Sequence, residues 1–265
     1  ADELIQRMKI EGSSSPADLF ITVDVGKLWQ AGDMDLLQKI KDETITAGID
    51  SEFLDPNNYW IPLTYRSRVV VYSKERVDVN DLSTYEDLAN EKWKNRLLIR
   101  SSSNSYNQAL MSSLIANLGS DVAEDWSTKI VSNLAREPKG NDRDQVKAIA
   151  SGQGDIAVVN SYYIGLLLSS EKEEELKAGN SVGVFFPNQA ENQRGAHVNV
   201  SGIALTKNAP NRENAIKLIS FLTSQSAQQT YVNNTYEYSV NSSVEPNEIV
   251  KSWGDFKKDK LDLNM

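Results

Sequence analysis

The chain has 265 residues, longer than one typical domain and shorter than two average ones, so two lobes sharing strands or one large α/β domain both fit. Its 40 % apolar and 25 % charged residues are those of an ordinary globular protein, and a net charge of −9 without a basic stripe argues against nucleic acid as a partner. Zero cysteines and a single histidine, His197, exclude disulfides, thiolate nucleophiles, iron–sulfur ligation and the usual zinc and copper sites.

In chain order, "ADELIQRMKIEG" predicts a short amphipathic helix ended by Gly12, without the cationic start of a secretory leader. "ADLFITVDVGKLWQAG" reads as a strand followed by a turn at Asp24–Gly26. "YWIPLTYRSRVVVYSK" is a long extended stretch rich in β-branched and aromatic residues. "STYEDLANEKW" opens with a cap-like Ser83 and Glu86 three residues apart. "NRLLIRSSSNSYNQALMSSLIANLG" is strand, serine-rich loop, helix. "NDRDQVKAIASGQGDIAVVNSYY" is helix, glycine turn, buried strand, then two adjacent tyrosines. "SSEKEEELKAGN" reads as a solvated, charged helix. "VGVFFPNQAENQRGAHVNVSGIALTKNAPN" is a second long extended region, and "NRENAIKLISFLTSQSAQQTYVNN" is a helical run with apolar spacing near 3.6. No apolar run approaches the ~18 residues of a membrane-spanning helix.

Strands alternating with helices predict an α/β protein. The extended stretches near residues 59–72 and 195–206 are long enough to cross between two lobes. This reading puts residues 1–66 and 201–238 in a first lobe and residues 67–200 and 239–265 in a second.

Two segments share one design. After "RLLIR" come "SSSNS", Tyr106 and a helix; after "DIAVV" come "NS", Tyr162, Tyr163 and a helix. Asn or Ser stands where an N-cap belongs, so the tyrosines fall in first helical turns, where open α/β sheets bind ligands. In a continuing strand the paired tyrosines would face opposite ways, whereas across a turn into a helix they aim about 100° apart.

A phenol with pKa near 10 costs ~4 kcal/mol to ionise at pH 7. Helix N-termini, arginines and above all a trivalent cation offset that cost, and three phenolates balance the charge of Fe³⁺. Two other readings of the same residues stand beside this one. The tyrosines can be half-buried residues packing between sheet and helix, or hydroxyl donors of an oxyanion cradle built with "SSSNS". Arg66 and Arg68 in "TYRSRVVVY" suit either a metal or an anion.

The remaining polar residues point to structure. His197 reads as a hydrogen-bonding residue on an extended segment, and Asp155 after Gly154 as turn chemistry. Gly152 and Gly154 do not form a phosphate loop. The sequence has no G-x-S-x-G elbow, no cysteine nucleophile and no paired carboxylates at a suggestive spacing, so an enzyme is not expected.

The blocks "SPADLFITVDVGKLW", "TYRSRVVVYSK", "GQGDIAVVNSYYIG", "GAHVNVSGIALTKNAPN" and "NTYEYSVN" together resemble, in order and over nearly the whole chain, the ferric-iron-binding proteins of bacterial ABC importers. The resemblance implies a two-lobed type II periplasmic-binding-protein fold with crossing hinge strands and Fe³⁺ held in an interlobe cleft. It also implies a monomeric periplasmic protein that delivers iron to an inner-membrane ABC permease. The family's single tyrosine ligand falls on Tyr106, its tyrosine pair on Tyr162 and Tyr163, and the arginine near its site on Arg66, with Asp24 at most behind the ligands. Two departures accompany it. The family's opening strand–helix–strand, which supplies a further ligand, is expected to be lacking, and many members carry an arginine where this chain has Leu166. The alternative is a type II binding protein for an oxyanion or a small organic ligand.

Overall fold

A computed structural model describes residues 1–260. In chain order the elements are α1 (Asp2–Glu11), β1 (Leu19–Thr22), α2 (Val25–Asp33), β2 (Leu37–Gln38), α3 (Glu43–Thr46), β3 (Trp60–Ser73), β4 (Leu97–Leu98), α4 (Ser105–Leu118), α5 (Ser120–Asn133), α6 (Asp142–Ala150), β5 (Ile156–Asn160), α7 (Tyr162–Leu168), α8 (Glu173–Ser181), β6 (Val182–Phe185), β7 (Val198–Thr206), α9 (Arg212–Thr223), α10 (Gln225–Thr235), β8 (Tyr238–Ser239) and α11 (Glu248–Lys251). No helix among the described residues is long and apolar enough to cross a membrane.

The chain forms two compact units. The first contains Ala1–Tyr65 and Asn199–Asn247, and the second contains Arg66–Val198 and, among the described residues, 248–260. Strand β3 passes from one unit to the other between Tyr65 and Arg66, and β7 begins at the second crossing. Residues 239–247, expected with the second lobe, belong to the first unit. Ser239 pairs with Thr64, and Asn241 bridges Ile49, so local strand pairing holds this segment there. Residues 261–265 of that expected lobe lie outside the described residues.

In the first unit, β1 and β2 pair antiparallel with β7, with Phe20 opposite Ala204 and Leu37 opposite Thr206. Asp24 ends the approach to α2 as its N-cap, accepting from the Gly26 amide at 2.9 Å, so the expected turn is a capped helix start. The long helical run is two helices, because Ser224 leaves helical geometry and caps α10 through the Ala227 amide.

The second unit carries the tyrosines. Its sheet is the C-terminal half of β3, antiparallel to β5 on one side and β6 on the other, with β4 parallel to β5. Both faces are buried, which explains the continuous apolar runs. Alternation along the strands sends Val69, Val71, Ala157 and Val159 into a core shared with α6, α7 and α8. Val70, Ile156 and Val158 enter the opposite core with Leu110, Leu114, Trp126 and Ile130 of α4 and α5. The second extended region is interrupted, since an irregular segment separates β6 from β7. The Ser83–Glu86 cap does not form. Thr84 Oγ1 takes the Asp87 amide at 3.0 Å, and Glu86 instead pairs with Arg194.

Candidate metal centre

Each tyrosine is placed by what precedes it. Beyond β4 the serine loop ends at Asn104, whose side chain accepts from the Tyr106 amide at 3.1 Å and starts α4 there. Beyond β5, Ser161 is buried but does not cap α7 with its side chain, contrary to the design expected from sequence. Its amide donates to Ser67 O at 2.9 Å and its Oγ accepts from the Ser67 amide at 3.4 Å, tying the turn to β3. Tyr162 and Tyr163 then open α7.

The structure brings the three phenols together. Tyr162 Oη donates to Tyr106 Oη at 3.3 Å, and the Tyr163 ring packs against that of Tyr162. The paired rings lie 4.2 Å apart between centroids, tilted by 32°. All three residues are half-buried members of the second unit. Burial pushes the Tyr162 hydroxyl well above the ordinary phenol range, and Tyr106 and Tyr163 push it further. Burial also raises Tyr163, while the neighbouring Tyr162 acts in the opposite direction. Without a cation the Tyr162 and Tyr163 hydroxyls hold their protons at neutral pH.

Positive charge surrounds the cluster. The guanidinium carbons of Arg66, Arg68 and Arg100 lie 5.9, 6.0 and 5.3 Å from the Tyr106 ring centroid, and that of Arg143 lies 5.9 Å from the Tyr163 ring. Arg66 and Arg68 are both buried. Arg68 serves a network, donating at 2.6 Å to Asp142 Oδ2 and at 2.6 Å to Asn107 Oδ1. Among the described residues no group of three or more His, Asp or Glu is placed to hold a metal ion, so phenol oxygen is the hard donor the cluster offers.

Other candidates take structural roles. His197 is buried, and burial together with Arg66, Arg68 and Arg194 pushes its pKa down to about 3, so its imidazole is neutral. Its backbone carbonyl accepts from the Arg68 amide at 2.9 Å and from Ser67 Oγ at 3.1 Å. Asp155 lies in the bend between α6 and β5 and is also an ion-pair hub, held by Arg76 at 2.6 Å and Arg96 at 2.7 Å. Glu175 on the charged helix α8 is buried and paired with Lys147, so that helix is solvated on one face only. Asp24 lies in the first unit as a helix cap. Sequence reading passed over Arg100 and Asp142. The signal for Arg100 was its position at the carboxyl end of "RLLIR", one residue before the serine loop.

The sequence profile of the bacterial extracellular solute-binding proteins matches residues 1–258. Iron uptake protein A1 of Synechocystis sp. is 46 % identical over 264 residues, spanning 100 % of this chain and 73 % of its own length. A Trichodesmium protein solved in complex with iron and citrate superposes with a TM-score of 0.94 at 46 % identity, covering 99 % of this chain and 83 % of that one. A ferric binding protein from Campylobacter jejuni superposes with a TM-score of 0.94 at 38 % identity, covering 99 % and 83 % of the two chains. The Synechocystis and Campylobacter relatives are named as uptake and binding proteins, and the architecture is the two-lobed type II α/β fold expected from sequence. With the profile spanning nearly every residue, this chain belongs to the bacterial extracellular solute-binding proteins, in the group that contains the ferric-iron-binding proteins of ABC importers.

Proposed function

We propose that this protein binds Fe³⁺ through the phenolate oxygens of Tyr106, Tyr162 and Tyr163 and delivers it, as a periplasmic monomer without catalytic turnover, to an inner-membrane ABC permease. The observation that carries the reading is the contact between hydroxyls from two separate strand–loop–helix units. Two oxygens on one octahedral cation with ~2.1 Å bonds stand ~3 Å apart, and Tyr106 Oη and Tyr162 Oη are 3.3 Å apart before any cation is added. The arginines around Tyr106 place positive charge where the phenolate charge develops, and Arg66 serves behind the ligands in this way. Iron bound by the relatives named above supports the same cargo here.

Visible spectroscopy tests it, because Fe³⁺–phenolate charge transfer absorbs in the visible. Adding a ferric chelate should give a saturable visible band. Tyr162→Phe should remove most of it and weaken binding, while Tyr231→Phe on α10 should leave it unchanged. Saturable binding of phosphate or a small organic anion without any ferric band would favour the oxyanion reading instead.

A further inference from the structure

Asp142 is the first residue of α6 and shows 0 % exposure. Its burial has no capping purpose. Asn141 and Asp144 form a capping box around that helix start, Asn141 Oδ1 accepting the Arg143 amide at 2.9 Å and Asp144 Oδ2 the Asn141 amide at 2.7 Å. The Asp142 carboxylate points instead at the segments that bear the tyrosines. Oδ2 accepts from Arg68 Nη1 at 2.6 Å and from the Asn160 amide at 2.8 Å, and Oδ1 accepts from Arg100 Nη1 at 3.3 Å.

These partners have a common relation to the cluster. Asn160 ends β5 two residues before Tyr162. Arg68 also donates to Asn107, the neighbour of Tyr106, and Asn107 Nδ2 returns a bond to Arg100 O at 2.8 Å. Arg68 and Arg100 are two of the three guanidinium groups near the Tyr106 ring. One carboxylate therefore spans β3, the β4–α4 loop and the end of β5. Stability alone does not explain this arrangement. A buried ion pair is often no better than an apolar pair of the same shape, because desolvation offsets the attraction.

We propose that Asp142 is a positioning residue of the tyrosine site, holding the Tyr106 segment in register with the Tyr162–Tyr163 segment and fixing Arg68 and Arg100 beside the Tyr106 ring. The proposal rests on the reading of the tyrosines as ferric ligands. In metal sites, partners behind the ligands typically control affinity by about 10–100-fold, and that is the change expected here.

The test compares the wild type with Asp142→Asn and with the double variant Arg68→Met/Asp142→Leu, which removes both buried charges together and should keep the fold. Each is loaded with Fe³⁺, competed with a chelator, scanned for its visible band and melted by circular dichroism. Both variants should lose about 10–100-fold in Fe³⁺ affinity and shift the band, while the double variant melts close to the wild type. Wild-type affinity and an unshifted band in a folded double variant would overturn the proposal. So would a double variant that does not fold, since the network would then be structural. A wild type lacking any ferric band would overturn the ligand reading and this inference with it. A wild-type band that both variants reproduce would remove the inference alone.

Discussion

Burial holds the hydroxyls of Tyr162 and Tyr163 protonated, so under the proposed ligation Fe³⁺ must displace protons to bind. Raised phenol pKa values make protons stronger competitors, so apparent iron affinity rises with pH across the neutral range, by up to about three decades per pH unit when three phenols ionise. We expect about three protons released per iron in an unbuffered titration followed with an indicator dye and corrected for the ferric chelate, and about one fewer in Tyr162→Phe. An unchanged count in that variant would remove Tyr162 from the ligand set. In the metal-free protein the same raised values act on stability. Their contribution is fully present below the unfolded phenol pKa of about 10 and is lost as pH climbs above it.

Among the elements, β7 and its approach show how one motif serves packing. The "GAHVNVSG" block contains two glycines whose missing side chains are required. A Cβ on Gly202 would lie 2.7 Å from Leu28 Cδ1, closing the space through which α2 packs on β7. Gly195 has φ +102°, and a Cβ there would lie 2.6 Å from the backbone of Lys257 and Lys258. That closeness lets the chain's last described segment pair with Ala196, whose amide donates to Lys257 O at 2.8 Å and whose carbonyl accepts from the Asp259 amide at 2.9 Å. Gly195→Ala should therefore destabilise the second unit by about 2 kcal/mol, with contributions from backbone strain and the clash. Hydrogen exchange should accelerate at Ala196 and Asp259 first. Gly12→Ala is the control, because Gly12 also has positive φ but nothing within 4 Å of its Cβ position, and it should cost about 1 kcal/mol from strain alone. Equal losses in the two variants would show that the close approach of the C-terminal segment carries no energy.

For the whole molecule, the proposed ligation links cargo binding to folding, since the three tyrosines converge only in the native state. Fe³⁺ at a hundredfold excess over its Kd should stabilise the protein by about 2.7 kcal/mol, raising Tm by about 5–10 °C in a chain of this size. Differential scanning calorimetry with and without ferric chelate measures the shift, and an identical Tm would show that iron does not engage the native fold. The sequence by itself determined the α/β class, the long strands at β3 and β7, and the placement of Tyr106, Tyr162 and Tyr163 at helix starts. Periodicity, β-branched runs and strand-to-helix transitions are local properties, and they read correctly without a fold. Where a local signal had rivals, the nearest neighbour in space decided between them. Thr84 took the cap that Ser83 promised, and Ser161 bonded to Ser67 instead of capping α7. Only the tertiary structure decided the surroundings of the tyrosines. Asp142 is 74 residues from Arg68 and 42 from Arg100, and no spacing rule links an acid at a helix start to arginines on a distant strand and loop. Their meeting depends on which faces of the sheet α4 and α6 cover, and burying both faces against separate cores settles that placement.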